Sequence, residues 1–214
     1  MRLDPLHRDR YVFEQGWAYS QLGRYQEAIP AFNPVDPLFW THVHLAQDYI
    51  ELAQEGAARA EATKVERLIG MSPASATGYM VLAAAMVYVA EPAQALAAVE
   101  KAVQLDPGNR ENHYSVEGSP QGWAYILLGR YEDAISAFKR DRGFHPDLCW
   151  VHLGLAIDDM ELGRDDAARA EAAEVLRLNP QFRVEMVFPT VGPKGKVLAQ
   201  QVRWDADLRK VGLK

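Results

Sequence analysis

QGWAYSQLGRYQEAIPAF occupies residues 15–32, and QGWAYILLGRYEDAISAF occupies residues 121–138. Thirteen of the eighteen positions are identical, at a spacing of 106. Further along, WTHVHLAQDYIELAQEGAARAEATKVERL (40–68) aligns with WVHLGLAIDDMELGRDDAARAEAAEVLRL (150–178). Sixteen of these twenty-nine positions match, now at a spacing of 110. The change from 106 to 110 puts a four-residue length difference near residues 33–37. A segment of about 70 residues is thus written twice, with other sequence between the copies.

Each copy divides again. Pro146 and Pro180 lie 34 apart, and the same skeleton precedes both. In 115–148 it reads Gly122, Tyr125, Gly129, Tyr131, Ala134, Phe138, Pro146. In 149–182 it reads Ala156, Asp159, Gly163, Asp165, Ala168, Ala172, Pro180. Segment 9–38 carries it as Gly16, Tyr19, Gly23, Tyr25, Ala28 and Phe32, and segments 39–75 and 76–109 carry weaker versions, such as Ala83, Met86, Ala90, Pro92, Ala95, Val99 and Pro107. Residues 1–8 form a lead-in, and 183–214 a linker with a final helix.

These residues resemble the tetratricopeptide repeat (TPR) over about 9–182. The resemblance implies an all-α superhelix of about five helix hairpins, each stacked on its neighbours, with a C-terminal capping helix. The physics of the residues agrees. Small residues such as Gly16, Gly122 and Ala156 suit a close helix crossing, where a bulkier side chain would overpack. Gly23, Gly129 and Gly163 follow helix-length runs, where a left-handed residue is wanted. Pro107, Pro146 and Pro180 close the second helix of their units. Pro92 and Ser119-Pro120 read as helix starts.

The pattern breaks in places. Pro30, Asn33-Pro34 and Pro37 predict that the second helix of the first unit ends near Phe32. SVEGSP (115–120) cannot be regular helix, so 108–118 reads as a loop. The third unit lacks the LGRY turn. RLDP (2–5) resembles RLNP (177–180), so the chain can be read as starting within an array or as having an ordinary N-terminus. After Pro180, a helix over about 195–211 can place Val197, Leu198, Val202, Leu208 and Val211 on one face. It either caps the fifth unit or folds into the groove. LGRYEDAI, AARAEAAEVLRLNP and LRKVGL are similar to the C-terminal TPR regions of bacterial proteins, including class III adenylate cyclases. There such repeats are accessory to a separate catalytic domain.

Bulk properties narrow the function classes. The net charge of −6 argues against nucleic acid or an anionic membrane as partner. Cys149 is the sole cysteine, which excludes an internal disulfide and fits a reducing compartment. The longest apolar run, YMVLAAAMVYVA (79–90), is too short to span a membrane, and MRLDPLHRDR lacks the apolar core of a signal peptide. A cytoplasmic location is expected. No phosphate loop, nucleophile elbow or CxxC is present, so neither catalysis nor a cofactor is expected. His42 and His44 are two apart on a helix and point to different faces, so no metal site is expected either.

The resemblance places the groove on the first helix of each unit. Its candidate lining is Phe13, Trp17, Trp40, Val43, Ile50, Met80, Val87, Trp123, Ile126, Trp150, Ile157 and Met160. So apolar a face is either a docking groove for a peptide or helix or buried by neighbouring units. The positions at which some TPR proteins clamp a carboxylate carry Gln47, Glu51, Ala84 and Trp123, which disfavours that mode. The expected partner is a protein or peptide, with a homodimer as one alternative.

Overall fold

The computed structural model describes residues 13–20, 22–32, 39–52, 54–107, 119–184 and 196–213. Every regular element among them is a helix. Helix α1 covers 13–20. It is followed by α2 (Tyr25–Ala31), α3 (Phe39–Glu51), α4 (Glu55–Met71), α5 (Ala76–Tyr88) and α6 (Pro92–Leu105). Then come α7 (Pro120–Leu127), α8 (Tyr131–Phe144), α9 (Cys149–Glu161), α10 (Asp165–Leu178) and α11 (Lys196–Lys210). These pair into five hairpins plus a terminal helix. The first helices also form a row: α3 packs on α5, α5 on α7, and α7 on α9. Each second helix packs on the first helix of the next hairpin, as α4 does on α5 and α8 on α9. The fold is an α–α superhelix.

The hairpins close through matched sizes. A Cβ built on Gly16 would lie 2.7 Å from the Phe32 ring, and one on Gly122 would lie 2.6 Å from the Phe138 ring. Those two units therefore pair glycine with phenylalanine. The other three hold Ala46, Ala83 and Ala156 in the same place, matched with Ala62, Val99 and Ala172, all buried. Where the second helix carries a phenylalanine the first carries a glycine, and elsewhere small residues meet, which avoids overpacking the crossing.

Turn chemistry follows the same frame. Gly23, Gly129 and Gly163 have φ of 70°, 69° and 70°, the left-handed conformation that costs glycine nothing. The next residue then bonds back across the helix end. Arg24 N–H donates to the Tyr19 carbonyl at 2.9 Å, Arg130 to Tyr125 at 2.9 Å, and Arg164 to Asp159 at 2.7 Å. The guanidinium of Arg24 sits 4.6 Å over the Tyr19 ring, and that of Arg130 4.6 Å over Tyr125. The third unit lacks the LGRY string but makes the same turn. Ala90 takes φ 55°, and Glu91 N–H donates to the Met86 carbonyl at 2.8 Å.

Helix ends agree with the residues that mark them. Ser119 Oγ accepts from Gly122 N–H at 3.1 Å, with Pro120 at the first helical position. Pro92 likewise opens α6. Helix α2 ends at Ala31 with Phe32 as its cap. The expected loop over 108–118 and most of the linker after Pro180 lie outside the described residues.

The far end is closed in two parts. Phe182 and Val184 are buried in one cluster with Val175 of α10 and with Leu155 and Ile157 of α9. Helix α11 packs on α9 and adds Trp204 and Leu208 to that cluster, and Leu213 joins from just beyond its end. Its observed span is close to the expected one. Leu208 is buried and Val211 half-buried, whereas the side chains of Val197, Leu198 and Val202 lie outside the described residues. Trp204, which the apolar-face reading omitted, is among the largest fully buried side chains.

Candidate interaction surface

The row of first helices positions all twelve candidate groove residues, and their burial divides them. Val43, Ile50, Met80, Val87, Ile126 and Ile157 are buried. Val43, Ile50, Val87, Ile126 and Ile157 belong to clusters that join one hairpin to the next, and Met80 to one between α5 and α6 of a single hairpin, so the chain itself covers them. Phe13, Trp123, Trp150 and Met160 are half-buried. Phe13 packs on Phe32 with ring centroids 5.8 Å apart. Trp123 stands edge-on to Phe138 at 5.6 Å, and Trp150 edge-on to Phe182 at 6.2 Å. The side chain of Trp40 lies outside the described residues. Trp17 is 43% exposed. It is the counterpart of Trp123, which reaches the cluster of α3, α4 and α5 on one side and that of α9 on the other.

The two copies also share buried polar groups, one set inside each hairpin. His42 Nδ1 lies 2.7 Å from Glu61 Oε2, and Lys64 reaches the other oxygen of that carboxylate at 2.6 Å. Burial pushes the Glu61 carboxyl up, but the bonds from His42 and Lys64 outweigh it and leave it below its ordinary value. In the second copy His152 Nδ1 lies 2.6 Å from Glu171 Oε2, Arg142 reaches Glu171 at 2.8 Å, and His152 Nε2 faces the Pro146 carbonyl at 3.1 Å. Both histidines serve packing between helices. Among the described residues no group of three or more His, Cys, Asp or Glu is placed to hold a metal ion. Each histidine has a glutamate nineteen residues later in both copies, a signal visible in the sequence but unused.

A second set sits where α1 meets α3 and where α7 meets α9. Asp48 and Asp158 correspond, and so do Glu51 and Glu161. At the first joint Ser20 Oγ donates to Asp48 Oδ2 at 3.0 Å. Burial, reinforced by Asp48, pushes the Glu51 carboxyl up to about 8, against a hydrogen bond with Tyr25. Burial also pushes the Tyr25 hydroxyl up to about 12. At the second joint Glu161 is taken by the tail: Trp204 Nε1 donates to it at 2.6 Å, and Arg203 pairs with it. Burial raises the Cys149 thiol, in keeping with a packed rather than reactive cysteine.

Residues 10–33 match the tetratricopeptide repeat family. A thermophilic TPR protein of Thermus thermophilus, TTC0263, superimposes with a TM-score of 0.64 at 24% identity, covering 94% of this chain and 99% of that one. Structures of MamA superimpose less closely: one from MSR-1 gives a TM-score of 0.47 at 25% identity, covering 81% of this chain and 98% of that one. No curated protein sequence matches the chain significantly. No described helix is long and apolar enough to cross a membrane. The chain has the fold of a TPR protein, and its first hairpin carries a tetratricopeptide repeat that the family description matches.

Proposed function

We propose that the chain is a non-enzymatic interaction scaffold that holds an apolar helix or extended peptide against its row of first helices. The observation that carries this reading is Trp17. Its counterpart Trp123 is half-buried between hairpins, but Trp17 presents much of an indole to solvent at the first hairpin. A rigid aromatic of this kind is the residue type that dominates interface energetics. Phe13 lies beside it on α1, and Trp123, Trp150 and Met160 keep partial exposure further along. Only this half-exposed subset of the candidate groove serves the partner; the buried subset holds the array together.

The test is partner capture by wild type and by Trp17→Ala at equal helical content. Loss of captured protein with Trp17→Ala supports the reading, and unchanged capture rejects it. Sedimentation of the same two proteins separates self-association, in which the bound species is a second copy. The resemblance of LGRYEDAI and LRKVGL to cyclase-associated repeats supports a narrower reading, an accessory region of a signalling enzyme. A catalytic domain fused or adjacent in the genome would support it.

A further inference from the structure

The two copies differ at one buried contact. At the first joint Asp48 faces a hydroxyl, that of Ser20. The counterpart of Ser20 at the second joint is Ile126, which is buried and cannot donate. The aspartate is nonetheless kept. Asp158 is fully buried in α9, and neither of its carboxylate oxygens has a hydrogen-bond partner. An ionised carboxylate in such a place is costly, whereas a neutral one is tolerated. We infer that the α7/α9 joint is gated by ionisation: a neutral Asp158 lets α9 stay packed on α7, and loss of its proton drives the side chain towards water and parts the two helices.

The surroundings favour the neutral form. Asp159 and Glu161 lie on the same helix and Glu132 on α8, all negative. Lys139 of α8 acts on Asp159, and the other nearby cations are engaged. Arg164, just after α9, pairs with Glu132 and with Asp159, and Arg203 of α11 pairs with Glu161. On α10, Glu171 is held by Arg142 and His152. Helix α7 offers no charged side chain, and its one titratable group is the Tyr125 phenol. Burial, reinforced by those carboxylates, pushes the Asp158 carboxyl from 3.8 up to about 9. A raised carboxyl binds a proton in the closed joint that it loses when the joint opens. The stabilising contribution is therefore complete below about 4 and disappears as pH climbs towards 9. Because Trp123 lies on α7 and Trp150 on α9, opening alters the spacing of two half-exposed aromatics on the proposed docking face.

Two measurements on the intact chain test this. Carbon-13 NMR should show the Asp158 carboxyl titrating near pH 9. Amide exchange in α7 and α9, corrected for intrinsic rates, should give an opening constant that rises up to about tenfold per pH unit between about 4 and 9, as release of one proton requires. In Asp158→Asn, a neutral isostere, that dependence should vanish. Ile126→Ser supplies the donor found at the first joint and should lower the Asp158 midpoint. An Asp158 midpoint near 4 overturns the inference, as does an unchanged pH slope in Asp158→Asn. If that variant does not fold, the wild-type titration and the Ile126→Ser shift decide. Glu51 titrates at the other joint, so exchange resolved by helix keeps the two apart.

Discussion

Phe32 and Phe138 occupy the same place in two nearly identical strings, yet their surroundings are built differently. Phe138 is clamped between two glycines: a Cβ on Gly122 would come within 2.6 Å of its ring and one on Gly154 within 2.3 Å. Phe32 has Gly16 on one side, but the counterpart of Gly154 is His44. The His44 ring stacks on Phe32 at 5.8 Å and 2° between planes, with Phe13 edge-on to it at 5.4 Å. One copy fills its core by bringing backbones together, the other by adding a ring. The same string can thus serve two packings, because the residue that decides between them lies in the next hairpin. The glycine-clamped core should be the less forgiving one.

Removing each ring is the strongest way to break that comparison. Phe138→Ala should cost about 3–5 kcal/mol, and Phe32→Ala less, since Phe13 and His44 can close over the space. Chemical denaturation measures both, and equal losses would contradict the clamp. Gly154→Ala forces a methyl into the Phe138 ring and should cost about 1–3 kcal/mol. Joined with Phe138→Ala, most of that penalty should vanish, which a double-mutant cycle reads directly. At the tail, Trp204→Phe loses the bond to Glu161, for about 1.5–3 kcal/mol seen in the melt, and part of the buried indole packing besides. Glu51→Gln should remove the part of the pH dependence that comes from a carboxyl raised from 4.5 to about 8, stability that wild type loses as pH rises across that interval. The smallest effect runs the other way. Ala90 holds a left-handed conformation that glycine adopts freely, so Ala90→Gly should stabilise by about 0.5–1 kcal/mol.

Much of this architecture was legible in the residues. The 34-residue beat and the glycine turns announced the hairpins, and Ser119-Pro120 marked the start of α7. What the pattern could not convey is which neighbour covers a side chain. Ile126 and Ile157 sit on the helix row expected to line a groove, but the stacking of adjacent hairpins buries them. Exposure at Trp17 and half-burial at Trp123 come from identical local sequence; Trp123 lies between two described hairpins, whereas Trp17 lies on the first described helix. The paired carboxylates at the joints are hidden from the sequence for a related reason. Asp158 reads as one more acidic residue in DDMELGRDD, since nothing in that string says that its carboxylate is buried without a hydrogen-bond partner. Trp204 stands outside the repeat frame, so nothing in the 34-residue pattern marks it as the centre of the cap.

The central claim is that the molecule is a stack in which each hairpin answers only to its neighbours. Site-resolved amide hydrogen exchange in Phe138→Ala tests it most directly. Protection should fall in α7, α8, α9 and α10 while α3 and α4 keep theirs. A uniform loss of protection in every helix would instead describe one indivisible core, and would contradict the account.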